Sequence, residues 1–79
     1  MQSLEDSELL KKGLGNRIAE LRKERKLTIT ELGNLCDIER PSITRIETGK
    51  TNPTYLTLVK LAKALNTSVS NLVNFKGGA

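Results

Sequence analysis

Between Thr28 and Gly49 the chain reads TITELGNLCDIERPSITRIETG, and this stretch leaves few folds open. The Thr28 hydroxyl can accept a free backbone N–H of the turn that follows. The Glu31 carboxylate, three residues on, can reach back to the Thr28 amide, which makes a capping box and a helix start. Leu32 and Leu35 then fall at i and i+3 and are predicted to share one apolar face. Asp37 predicts a corner, because a short polar side chain tolerates the left-handed conformation better than most. A second helix is expected from Glu39–Arg40, with Pro41 in a first turn whose N–H groups lack intrahelical partners anyway. Ile43 and Ile46 give that helix an apolar face, Arg40, Thr44 and Arg45 point elsewhere, and Gly49 ends it. Two short helices meeting at a tight corner are therefore predicted.

The remainder of the chain must supply a core for this unit with little material. Seventy-nine residues form one domain near the lower limit for folding on a single hydrophobic core. Such a chain relies on well-formed helices, a partner subunit or a covalent staple. Cys36 is the only cysteine and histidine is absent, so neither an intrachain disulfide nor a tetrahedral zinc site is expected. Cys36, flanked by apolar residues, is expected as a small core residue. Without a histidine, and with its one cysteine in an apolar setting, the chain offers no evident nucleophile–base pair, so an enzyme is not expected; no cofactor is expected, nor, with no second domain to sense one, a small-molecule ligand. No apolar run approaches the roughly 20 residues that span a bilayer, and no signal peptide is recognisable, so a cytoplasmic, membrane-free protein is expected. Thirteen Lys and Arg against nine Asp and Glu give a net charge of +4. That balance suits a polyanionic partner, although small domains also carry such charge for solubility. Tyr55 and Phe75 are the only aromatic residues, too few to stack a run of single-stranded bases, which favours duplex DNA.

Residues 1–13 are net acidic, carry Leu4, Leu9 and Leu10, and read as an N-terminal arm or short extra helix. Gly13 and Gly15 predict a break before the next helix. That helix is expected over 14–25, with Leu14, Ile18 and Leu21 at helical spacing and Leu27 completing the set. Its charged residues, Arg17, Glu20, Lys23 and Glu24 among them, read as a solvated face with i,i+3 and i,i+4 pairs. The segment GKTNPT is a loop, and Thr54 can cap a helix whose stripe is Leu58, Leu61, Ala62 and Leu65. Asn66 is expected to end it in a left-handed turn. Ser68 then caps a last helix bearing Val69, Leu72 and Val73, and 76–79 form a flexible tail.

From Leu27 to Leu72 the chain reads LTITELGNLCDIERPSITRIETGKTNPTYLTLVKLAKALNTSVSNL, with NRIAELRKERK ahead of it. This resembles the lambda-repressor-like, Cro/cI-type helix-turn-helix transcriptional regulators. The resemblance implies an all-α, compact five-helix DNA-binding domain over 14–75, with the motif at 28–49. In that arrangement the second motif helix enters the major groove while the first lies across the backbone. The resemblance puts Glu39, Arg40, Pro41, Thr44 and Arg45 at base-reading positions. Arg17, Ser42, Lys50, Thr51 and Asn52 become phosphate-binding candidates, and Arg22 is expected to pair with Glu47. The family's final helices commonly form a two-fold dimer, which makes Leu72, Val73 and Phe75 interface candidates, with simple closure of the core as the other reading. Three positions depart from the pattern: Ile29 where a polar residue is usual, Asp37 at the usual corner glycine, and Gly33 where alanine is common. The implied function is a sequence-specific, duplex-DNA-binding transcriptional regulator, a homodimer on a palindromic operator, like Cro-like repressors or restriction–modification controller proteins. Such a protein can repress, or activate through contact with RNA polymerase, and a single domain is expected to act through its abundance. The alternative is an antitoxin-like or other protein-interaction module on the same fold, carried by the acidic, leucine-bearing segment 4–10.

Overall fold

A computed structural model describes residues 4–75, and all five regular elements in that span are helices. They are α1 (Leu4–Glu24), α2 (Ile29–Cys36), α3 (Arg40–Glu47), α4 (Tyr55–Ala64) and α5 (Val69–Leu72). The expected tail at 76–79 and the first three residues of the expected arm lie outside the described span.

α1 corrects the predicted break at Gly13 and Gly15, since it runs through both without interruption. Each glycine costs a helix interior about 1 kcal/mol relative to alanine, but here close packing requires its bare backbone. A Cβ on Gly15 would overlap the carbonyl oxygen of Ile46 and stand 2.6 Å from that of Glu47. α1 thus lies directly on the last turn of α3. Gly13 is covered by the Phe75 ring, whose Cδ2 would stand 2.7 Å from a Cβ. The helix ends where Lys26 turns left-handed at φ 57° and the Leu27 N–H donates to the Arg22 carbonyl at 3.1 Å.

The helix-turn-helix corner is built from local hydrogen bonds. The Thr28 N–H donates to Glu31 Oε1 at 2.8 Å and the Glu31 N–H to Thr28 Oγ1 at 3.0 Å, so both halves of the capping box are made. Asp37 takes the left-handed conformation, φ 56° and ψ 46°, and its N–H returns to the Gly33 carbonyl. The Ile38 N–H donates to the same carbonyl at 2.9 Å. Gly33, a weak helix former, is needed by this turn because a Cβ there would overlap the Ile38 carbonyl oxygen. Thr54 and Ser68 cap α4 and α5 through their hydroxyls. Asn66 closes α4 at φ 54°.

α3 packs between α1 and α2, α4 packs on α2, and α5 closes against α4 and α1. Their common core is centred on the fully buried Ile18, Leu32, Ile43, Leu61, Leu65 and Leu72. The shared face predicted for Leu32 and Leu35 is not observed. Leu32 is fully buried, but Leu35 is 60% exposed and Cys36, one position later, takes the inward place. At 3.6 residues per turn i+4 departs from the starting direction less than i+3 does, so the residue at i+4 follows a narrow apolar seam more closely. Ile29 packs against this core, which accounts for an apolar residue at a usually polar position.

The contact at Gly15 yields a test. Gly15→Ala should lower stability by about 1–3 kcal/mol by overpacking α1 against α3, against the gain of about 1 kcal/mol that alanine brings to an open helix. Gly13→Ala meets a movable ring and should cost less. Urea unfolding of both variants measures the difference; a more stable Gly15→Ala would show that the two helices are not packed as described.

Candidate nucleic-acid interface

α3 divides its short length between two environments. Ile43 and Ile46 point into the core, while Glu39, Arg40, Pro41, Thr44 and Arg45 are exposed. Pro41 lies in the first turn, where its missing N–H leaves no hydrogen bond unmade. Glu39 occupies the N-cap position but its side chain makes no capping bond. Of these five side chains, Arg45 has a described hydrogen bond, a long one from Nη2 to Ser42 Oγ at 3.4 Å. The five side chains expected to read bases therefore share one exposed helical surface.

The loop after α3 is anchored to it. Gly49 adopts φ +73°, its N–H donates to the Ile46 carbonyl at 3.1 Å, and the Lys50 N–H donates to the Arg45 carbonyl at 2.9 Å. Lys50 and Asn52 are exposed and Thr51 is half-buried. Between this loop, α3 and the start of α4 lies a concavity of about 310 Å³, lined by Ser42, Arg45, Thr51, Asn52, Thr54 and Thr57 together with Ile38, Ile46 and Pro53. It gathers three of the expected phosphate-binding residues, Ser42, Thr51 and Asn52, beside a guanidinium. Thr57 was not expected here; its signal in the sequence is its place three residues after the capping Thr54, whose hydroxyl lies 3.0 Å from its own.

Arg17 stands apart from that group, and the structure gives it another occupation. Its Nε donates to the Asn71 carbonyl at 3.3 Å, Nη2 to Asn71 Oδ1 at 3.0 Å and Nη1 to Glu20 Oε1 at 2.7 Å. Half-buried, it ties α1 to α5 rather than offering an open fork to a phosphate. The sequence concealed this because the partner is a backbone carbonyl and an amide 54 positions away.

Arg22 and Glu47 form the other cross-helix link. Nε donates to Oε2 at 2.7 Å and Nη2 to Oε1 at 3.0 Å, a bidentate pair with side chains only 11% and 8% exposed. The remaining Nη1 donates to the Leu27 carbonyl at 2.8 Å, so the same guanidinium also holds the α1–α2 connection. The hydrogen bond from Glu47 raises the Arg22 pKa further, against the opposing effect of burial, so the cation persists at any pH the fold tolerates.

Of the two readings for Leu72, dimer contact and closure of the core, the second holds: it is fully buried in the core. Val73 and Phe75 are half-buried, Phe75 over Gly13. Among the described residues, Leu9, Leu35, Tyr55 and Leu56 are the large apolar side chains exposed instead, Leu56 most of all at 70%. Position 56 lies off the 58–61–65 stripe, and that offset was the available clue. Among the described residues no helix is long and apolar enough to cross a membrane.

Sequence and structure comparisons agree with this architecture. The helix-turn-helix family profile (HTH_3) matches residues 18–72. The immunity repressor protein of Bacillus phage phi105 is 40% identical over 60 residues, 76% of this chain but only 42% of the repressor. The uncharacterized HTH-type transcriptional regulator y4dJ of Sinorhizobium fredii is 36% identical over 64 residues, 81% of this chain and 83% of the relative. Among solved structures, the restriction–modification controller protein C.AhdI from Aeromonas hydrophila superposes with a TM-score of 0.76 at 32% identity. That match covers 80% of this chain and 94% of the controller.

The ion pair gives the prediction for this site. Glu47→Ala leaves a largely buried guanidinium without its carboxylate and should cost about 3–5 kcal/mol, a large part of what so small a domain possesses. Arg22→Lys keeps the charge but not the fork and should fall between wild type and Glu47→Ala. Thermal unfolding measures both, and wild-type stability in Glu47→Ala would dismiss the pair as a structural link.

Proposed function

The chain belongs to the helix-turn-helix (HTH_3) family of transcriptional regulators, a non-enzymatic family, and from that premise we propose that it binds duplex DNA sequence-specifically as a homodimer on a palindromic operator. The observation that carries this reading is the division of α3, whose inner isoleucines are locked in the core while five side chains suited to base edges stand exposed. Arg40 and Arg45 have the planar fork that bridges guanine O6 and N7, each such contact being worth about 1–3 kcal/mol of discrimination. Thr44 can bond a base edge or touch a thymine methyl, Glu39 can accept from cytosine N4, and Pro41 sets the approach of the helix's first turn.

Ser42, Lys50, Thr51 and Asn52 take the phosphate-binding role and fix the register of the helix in the groove. The concavity that Ser42, Thr51 and Asn52 border, with Arg45 at its wall, supports their part in that assignment. Arg17 is left out of the set because its guanidinium serves α5. The likeness to the controller protein, over nearly the whole of that chain, supports a small regulator that acts by occupying an operator. Two copies related by a two-fold axis would place two α3 helices on half-sites one helical turn apart. With Leu72 unavailable, the exposed Tyr55 and Leu56 at the start of α4 are the apolar side chains proposed for that contact.

Enrichment of binding sites from a random duplex pool at about physiological salt tests the proposal. A palindrome with half-sites roughly ten base pairs apart is expected. Salt-sensitive binding with no recovered motif would instead favour a protein partner held by the same fold. Given a motif, Arg40→Ala should relax preference at one position in each half-site by about 1–3 kcal/mol. Leu56→Glu should sediment as a monomer and lose affinity for the full palindrome; an unchanged dimer would move the interface elsewhere.

A further inference from the structure

Lys12 lies on the part of α1 that precedes the family-matched region, and it meets the recognition helix at its exit. A Cβ on Gly49 would stand 2.7 Å from Lys12 Cγ and 2.9 Å from Lys12 Cα, so the α1 backbone is seated on the turn that ends α3. The next residue in that turn is Lys50. Both lysines are exposed, and neither has an ion-pair partner among the described residues. Glu8, one turn before Lys12, is paired with Lys11 at 3.0 Å, and Glu47, two residues before Gly49, is paired with Arg22 at 2.7 Å. The Lys12 side chain therefore starts at the turn that leads into Lys50, and an exposed pair of cations along one edge of the fold suits a polyanion.

We propose that Lys12 is a DNA-phosphate-binding residue, so that the middle of α1 extends the backbone-contacting surface formed by the loop after α3. The proposal rests on the reading that α3 and residues 50–54 face duplex DNA. Gly49 has a part in it: its bare backbone lets α1 approach closely enough for the Lys12 side chain to start at the turn that presents Lys50. The continuous helix through Gly13 and Gly15 is what delivers Lys12 to that place. A competing role is purely structural, because a cation near the last carbonyls of α3 complements that end of its macrodipole. The two roles differ in what salt does to binding.

The experiment measures affinity for one fixed duplex against salt concentration, for wild type, Lys12→Gln, Lys12→Arg, Lys50→Gln and Lys63→Gln. Each lost phosphate contact should reduce the slope of log K against log salt by about 0.9 per bound protomer. Lys12→Gln and Lys50→Gln should each show that reduction. Lys12→Arg should keep the wild-type slope, and Lys63→Gln, a net-charge control on α4, should leave it unchanged. A wild-type slope in Lys12→Gln beside a reduced slope in Lys50→Gln would overturn the proposal and leave the DNA-binding reading intact. Equal reductions in Lys12→Gln and Lys63→Gln would also overturn it, by attributing the effect to net charge. A salt-independent wild type would remove the reading on which it rests.

Discussion

The bidentate contact between Arg22 and Glu47 is the constraint from which the rest of the arrangement follows. One guanidinium holds the last turn of α3 through Glu47 and the α1–α2 connection through the Leu27 carbonyl. The three helices that determine how α3 is presented are thereby fixed by a single side chain. A salt bridge this buried is weak grounds for net stability, since desolvation offsets much of the attraction. Its contribution here is orientation. Hydrophobic burial of Ile43 and Ile46 holds α3 in the core but specifies its rotation loosely, whereas two parallel N–H···O bonds specify it closely. The glycine contact beside the pair works to the same end, because α1 can lie on the Ile46 and Glu47 carbonyls only where it has no side chain.

Much of this was legible in the sequence, wherever a rule was local. The capping box at Thr28 and Glu31, the left-handed Asp37, the caps at Thr54 and Ser68 and the stripe on α4 each depend on residues within a few positions of one another. The pattern continuing from the motif through Ile46, Glu47 and Gly49 into α4 pointed to the family, which the match over residues 18–72 establishes.

Apart from the Leu32–Leu35 face, where i+4 and not i+3 followed the apolar seam, what was not legible depended on distant partners. Gly13 and Gly15 read as helix breakers because propensity counts only the cost of a glycine, and the reason for keeping them is a carbonyl on α3 and a ring at residue 75. Arg17 read as a solvated, ion-paired residue or a phosphate contact, and its bonds to Asn71 were hidden because that residue belongs to the far end of the chain. Leu72 read equally as a dimer contact or as closure of the core, because α5 is so short that its face could not be assigned without α1 and α4 beside it. In each case the local preference was correctly weighed and a tertiary contact overrode it.

Taken together, the capped corner, the left-handed turn at Asp37 and the Arg22–Glu47 link hold a short helix rigid with its charged face outward, as base recognition requires if the side chains are to arrive pre-aligned. The most direct test of this account is an NMR titration of the isotopically labelled protein with a duplex carrying its enriched site. Shifts concentrated in α3, the start of α2 and residues 49–54, with the Arg40 and Arg45 side-chain N–H signals moving and those of Arg22 still, are the predicted result. Shifts centred on the exposed Leu9 end of α1 or on α5, with Arg40 and Arg45 unmoved, would contradict it.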